Sequence, residues 1–212
     1  MTAPPTVIVV YSIDYSDGLL RELPYVRYFY ERGLSQLARL TAPDARVVIV
    51  TPEPVERSIL DYHYRDVLGF TGAAEQSARN RSVFLSPEPR ETSSLAQLVL
   101  DDERLMSTLR DECDTTDNVL LVNFAASAGV ERLGAALGIA VEEGPYRSAV
   151  YWGSKSGSKA AFAKGGVPAP LSSPGVLRSP DEVAAAVRDL ADAPSRRRNQ
   201  CSSSAAGVSV RT

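Results

Sequence analysis

Lys155, Lys159 and Lys164 fall within Tyr151 to Pro170, YWGSKSGSKAAFAKGGVPAP, a stretch that joins small residues, lysines and a sharp Gly-Val-Pro stop. Gly153, Ser154, Ser156, Gly157 and Ser158 let a backbone turn tightly and leave N–H groups uncovered at a helix start, where anions are favoured. The same composition also suits a solvated linker between two helices. A Walker A loop is excluded. In Gly153 to Ala160, GSKSGSKA, the glycine spacing is short by one, and Ala160 stands where that loop needs a hydroxyl for Mg²⁺. No G-x-G-x-x-G follows Tyr11, so a dinucleotide site is unsupported as well.

A second candidate is Ala125-Ala126-Ser127-Ala128-Gly129, a small-x-Ser-x-Gly turn between an apolar run and a helical stretch, where a hydrolase nucleophile would lie. Such a serine needs a base placed after it in the chain, and the only histidine, His63, precedes it. Helix capping is therefore the expected role of Ser127. His63, within Tyr62-His63-Tyr64, reads as a partly exposed helix residue. Cys113 and Cys201 have no CxxC partner and no nearby histidine, so both are expected as free thiols and no metal ligands are assigned.

These residues need a scaffold, and the chain supplies an alternating one. Thr6 to Tyr11, TVIVVY, and Arg46 to Thr51, RVVIVT, are β-branched runs that read as strands buried on both faces of a parallel sheet. Ser82 to Leu85 and Asn118 to Phe124 read as two more. Between them, Tyr25 to Leu40 and Val55 to Leu68 carry apolar residues at helical spacing, Ser94 to Cys113 is helical with a break near Asp101, and Ser127 to Leu137 is a further helix. Strand and helix thus alternate, which predicts an α/β fold: a Rossmann-like doubly wound, mainly parallel sheet of 4–5 strands, with ligands at the strands' carboxyl ends. After Gly138 the pattern weakens to an edge strand or loop and a short helix. Beyond the lysine stretch, Ser179-Pro180-Asp181-Glu182 opens a helix with a capping box.

Composition sets outer bounds. The 212 residues, 44% hydrophobic and 23% charged, can bury a substantial core. Four of the 23 basic side chains, Arg196, Arg197, Arg198 and Arg211, lie in a terminal stretch without acids, so the main body is more acidic than the net charge of −3 suggests. An acidic body argues against nucleic-acid partners. No apolar run is long enough to span a membrane and no basic segment precedes the first apolar run, so no membrane partner and a cytoplasmic location are expected.

On this architecture the residues resemble a known family. Tyr30-Glu31-Arg32 with Leu34 and Leu37, RVVIVTPEP from Arg46 leading to Tyr62, Ala78-Arg79-Asn80-Arg81, and Trp152-Gly153-Ser154-Lys155-Ser156-Gly157-Ser158-Lys159 with Phe162 and GVPAP from Gly166 are similar to the N-terminal half of ATP-grasp peptide ligases, of the pheganomycin-type carboxylate–amine ligase group. The resemblance spans roughly Tyr11 to Leu190. It implies a pre-ATP-grasp Rossmann-like domain over 1–150 and the helical, incomplete start of an ATP-grasp domain over 151–193. The basic, Ser-rich stretch 194–212 is expected to be disordered.

The resemblance further implies ATP and Mg as cofactors of the full-length family, activation of a carboxylate as an acyl-phosphate, and attack on it by an amine. Its substrates would be small-molecule or peptide carboxylates and amines. By position in the motif, Lys155 is the expected ATP contact; no catalytic residue is assigned. The family's second ATP-binding lysine, its Mg-binding Glu and Asn residues and its arginines have no counterpart after Ser179, so a truncated product, inactive by itself, is expected. The alternative is a stand-alone, non-catalytic Rossmann-like binding module. Apolar faces on the terminal helices, with Val183, Val187 and Leu190, would invite self-association.

Overall fold

The computed structural model describes residues 6–13, 32–88, 94–173 and 176–192. The chain divides into two compact units, Met1–Val150 and Tyr151–Thr212. In the first, strands β1 (Thr6–Val10), β2 (Arg46–Val50), β3 (Ser82–Leu85), β4 (Val119–Val122) and β5 (Ala140–Val141) form one sheet in the order β3-β2-β1-β4-β5. Every pairing is parallel, with Val7 opposite Val47 and Leu120, and Ile49 opposite Phe84. The α/β reading of the sequence is borne out.

Alternation along β1 and β2 explains why neither strand carries a polar residue inside its run. Ile8, Val10, Val48 and Val50 face one side and meet helices α3 (Leu95–Leu100), α4 (Glu103–Cys113) and α5 (Ala128–Leu137) through Leu95, Val99, Leu109, Val130 and Leu133. Val7, Val9, Val47 and Ile49 face the other side and meet Leu34, Leu37, Leu40, Tyr64 and Ala78. Each of these side chains, withdrawn from water, stabilises the unit by roughly 1.5–3 kcal/mol. An ion pair closes the sheet's amino edge: Arg46 donates to both carboxylate oxygens of Glu112 at 2.7 and 2.8 Å.

The second face is built differently from the sequence expectation. The helix expected over Tyr25 to Leu40 is cut at Gly33, which takes φ 59, and a 3-10 helix follows over Leu34–Thr41. Leu34, Leu37 and Leu40 recur every third residue, which is the 3-10 period, so all of them reach the core. Residues 25–31 of the expected helix lie outside the described residues. The helix expected over Val55 to Leu68 is a short helix α1 (Arg57–Tyr62) running into a π-helical turn, His63–Val67. An additional helix, α2 (Gly72–Asn80), has no counterpart in the sequence reading.

Helix α6 (Tyr146–Gly153) leads into the second unit, where α7 (Lys155–Lys164) and α8 (Pro180–Asp192) follow. The Ser179 hydroxyl accepts from the Glu182 N–H at 3.2 Å, as the capping box requires, while the Glu182 carboxylate reaches back to the Arg178 N–H rather than to that of Ser179. Val183 and Val187 are 46% and 60% exposed, whereas Leu190 is half-buried. No helix of the described residues is long and apolar enough to cross a membrane. The stretch 194–212 and Cys201 lie outside the described residues.

Candidate functional site

The order β3-β2-β1-β4-β5 puts the chain's reversal between β1 and β4. From β1 the chain builds outward to β2 and β3 on one side and to β4 and β5 on the other. Parallel strands leave a crevice beyond their carboxyl ends at such a point. Here a cavity of about 240 Å³ lies between Ser12 and Ile13 after β1, Phe124, Ala125 and Ala126 after β4, and Tyr146 and Val150 of α6. Its lining is mostly apolar. The Ser12 hydroxyl is fully buried and accepts from the Ala96 N–H at 3.0 Å, so it fastens α3 to the end of β1.

Asn123, directly after β4, is 6% exposed. Its Nδ2 donates to the Ala125 carbonyl, which holds the turn that lines the cavity, but its Oδ1 is buried without a hydrogen-bond partner in the described structure. Beyond β5, burial raises the Glu143 carboxyl above the ordinary glutamate range, a hydrogen bond from Asn123 draws it partly back, and neighbouring Glu142 raises it further. Glu142 is itself held by Arg39 at 3.0 Å. Arg39 also donates to Gln36 at 2.6 Å, and Gln36 to the Tyr11 hydroxyl at 2.7 Å, linking the 3-10 helix to the ends of β1 and β5.

A larger cavity of about 560 Å³ lies beside the end of β3, between Ser86, Glu88, Asp101, Asp102 and Arg104. Asp102 caps α4 by accepting from the Leu105 N–H at 3.0 Å, and Asp101 accepts from Gln97 at 2.8 Å. No group of carboxylates, histidines or cysteines among the described residues is arranged to hold a metal ion.

Ser127 has the capping role expected of it. It is 4% exposed, and its hydroxyl accepts from the Val130 N–H at 3.1 Å at the start of α5. Helix α5 packs on the sheet face opposite to that covered by Tyr64, and His63 belongs to Tyr64's π-helical turn. Serine and histidine therefore stand on elements separated by the sheet. Cys113 is a free thiol whose pKa is pushed up by burial and then by Asp114 and Glu112, opposite to what a reactive thiol needs.

In the second unit, Lys155 opens α7 and is exposed. The glycine-rich turn expected before it is reduced to Ser154 alone, since Gly153 is the last residue of α6. The Ser154 hydroxyl accepts from the Gly157 N–H at 2.9 Å and donates to the Tyr151 carbonyl at 2.7 Å. One donor of the helix start is thus already occupied, contrary to the uncovered N–H groups expected there. Lys159 lies one turn further on the same face, so the first half of α7 carries two exposed ammonium groups. Helix α7 ends in a Schellman motif: Gly166 takes φ 65, and the Val167 N–H reaches back to the Phe162 carbonyl at 2.9 Å.

The sequence reading named Lys155 but not Asn123 or Glu143. The only signal of the former is a polar residue closing the apolar run NVLLV.

No family model matches the chain. Among solved structures, the biotin carboxylase domain of a thermophilic 2-oxoglutarate carboxylase superposes over 87% of this chain and 33% of its own, at 14% identity and a TM-score of 0.43. Among curated proteins, L-propargylglycine–L-glutamate ligase of Streptantibioticus cattleyicolor is 40% identical over 191 residues, which are 90% of this chain and 40% of that ligase. The chain thus spans about two fifths of the curated relative it matches. Over that span it is a sequence relative of an amino-acid ligase, in keeping with the ligase resemblance of its motifs.

Proposed function

We propose that this chain supplies the first, substrate-facing domain of an ATP-dependent carboxylate–amine ligase over 1–150 and the start of its nucleotide-binding domain from Tyr151, with Lys155 as a contact to the nucleotide phosphates. The observation that carries the reading is the 40% identity to an amino-acid ligase across 90% of the chain. Lys155 at the start of α7, with Lys159 one turn further on the same face, suits a polyphosphate, because an exposed ammonium beside a helix start offers charge and donors together. When bound, ATP would supply the phosphoryl group that activates the carboxylate, with Mg as its counter-ion, and an amine substrate would complete the amide.

Phosphoryl transfer develops charge at several oxygens together and needs several positioned cations. Lys155 and Lys159 meet only part of that need. The purified 212-residue chain is therefore expected to bind nucleotide weakly and to form no amide alone. Titrating it with Mg-ATP, and assaying amide formation over pairs of amino acids, tests both halves. Lys155→Ala should weaken nucleotide binding about tenfold or more, the loss of one charge-assisted contact. Binding unchanged in that variant would remove Lys155 from the site, and amide formation by the chain alone would overturn the inactivity.

A further inference from the structure

Two helices of the second unit present unlike faces to water. Helix α8 carries Val183, Val187 and Leu190 at the spacing of one apolar stripe, yet Val183 and Val187 are 46% and 60% exposed. On α7, Phe162 is 43% exposed and follows Lys159 by three residues, so its ring and that ammonium group share a face. No ion pair joins the two helices among the described residues. Within one copy, the apolar centre of each helix is left open.

The charges around these centres decide what can cover them. Helix α7 bears Lys155, Lys159 and Lys164 and no acid, whereas α8 bears Asp181, Glu182, Asp189 and Asp192 against Arg188 alone. Glu182 and Asp189 lie four and three residues from Ala186, and so line one flank of the α8 stripe together. Pairing α7 with α7, or α8 with α8, brings like charges together and is disfavoured. Pairing α7 with α8 sets ammonium groups against carboxylates around an apolar centre. Both halves of that match are present on every copy of the chain, so a two-fold axis forms the contact twice.

We propose that the chain self-associates as a two-fold dimer in which α7 of each copy lies on α8 of the other, with Phe162 on Val183 and Val187 and Lys159 facing Asp189. The occupant of the exposed stripe is thus a second copy, selected by charge. The inference stands on these two helices and does not require the ligase reading. Two contacts between helices of 10 and 13 residues place the interface at the small end of specific ones. A dissociation constant on the order of 10 μM is therefore expected.

Sedimentation equilibrium of the full chain over a range of concentrations tests the assignment. It should show a monomer–dimer equilibrium that weakens as salt is raised, since the selecting charges are exposed and screened. Val187→Ser, at an exposed position, should weaken the dimer about tenfold or more. Lys159→Glu and Asp189→Lys should each weaken self-association about tenfold, because like charges then meet at both contacts. An equimolar mixture of those two variants should recover native affinity: the reversed α7 of one meets the reversed α8 of the other, and the remaining contact keeps its native charges. Loss of stability could not produce that recovery. A monomer at every concentration, a dimer untouched by Val187→Ser, or a mixture no tighter than either variant alone would each overturn the proposal.

Discussion

A Cβ added to Gly157 would stand 1.9 Å from the backbone oxygen of Tyr151 and 2.8 Å from its carbonyl carbon. Helices α6 and α7 therefore meet at a contact that only glycine allows, two residues from Lys155. Gly157→Ala has no flexible side chain to displace, so α7 must swing away or the helix start must melt. We expect a loss of about 1–3 kcal/mol, as for other overpacked contacts, read as a lower thermal midpoint. Nucleotide binding should fall with it if Lys155 is a contact. Gly153, with no atom within 4 Å of an added Cβ, is the control: Gly153→Ala, at the last residue of α6, should be neutral or slightly stabilising. Equal effects of the two substitutions would show that the close approach is not present in solution.

Gly33 makes a second such demand in the first unit. It takes φ 59, and an added Cβ would lie 2.7 Å from Val9 Cγ1, inside the core. Gly33→Ala combines backbone strain of about 1–2 kcal/mol with displacement of a buried side chain of β1. Gly138, at φ 69 with nothing within 4 Å, isolates the first term. Urea unfolding should therefore rank Gly33→Ala as more damaging than Gly138→Ala by about 1 kcal/mol or more. The reverse order would place the 3-10 helix elsewhere.

How much was legible in the sequence follows from where each signal resides. The strands could be read because Ile8, Val9, Val48 and Ile49 meet apolar partners on both faces, and that requirement is written into the run itself. The helix expected across Gly33 misled because apolar spacing does not report φ; the three-residue step from Leu34 to Leu37 to Leu40 was the better guide. Helix α2 was silent because Ala78 is its only buried residue, so it carries no apolar stripe to detect. Lys155 was reached through motif resemblance. Asn123 was not reached, since an orphaned buried acceptor exists only once separate strands are brought together.

Ser127 offers a direct test of function against capping. Its hydroxyl accepts from the Val130 N–H at 3.1 Å, and removing that bond in Ser127→Ala should cost about 1 kcal/mol, the usual loss for a helix cap. Ser127→Asp keeps an acceptor and adds a favourable charge at the helix start, so it should recover part of the loss. Neither the native chain nor any variant should react with a fluorophosphonate probe. Labelling of the native chain that disappears in Ser127→Ala would instead make this serine a nucleophile.

Glu143 supplies the pH-dependent prediction. Burial raises its carboxyl above the ordinary glutamate value of 4.5, with Asn123 opposing and Glu142 assisting. A carboxyl whose folded pKa exceeds its unfolded one favours the folded state while protonated, and that contribution is lost as pH rises through the folded pKa. At neutral pH the charged Glu143 therefore works against folding to the small extent that its exposed position allows, and that one contribution is recovered on acidification. Glu143→Gln removes the charge and keeps the shape, so it should be the more stable protein at neutral pH and should lose this part of the acid-side slope. Denaturant unfolding at a series of pH values reads both effects, and identical profiles for the two proteins would contradict the partial burial of the Glu143 carboxyl.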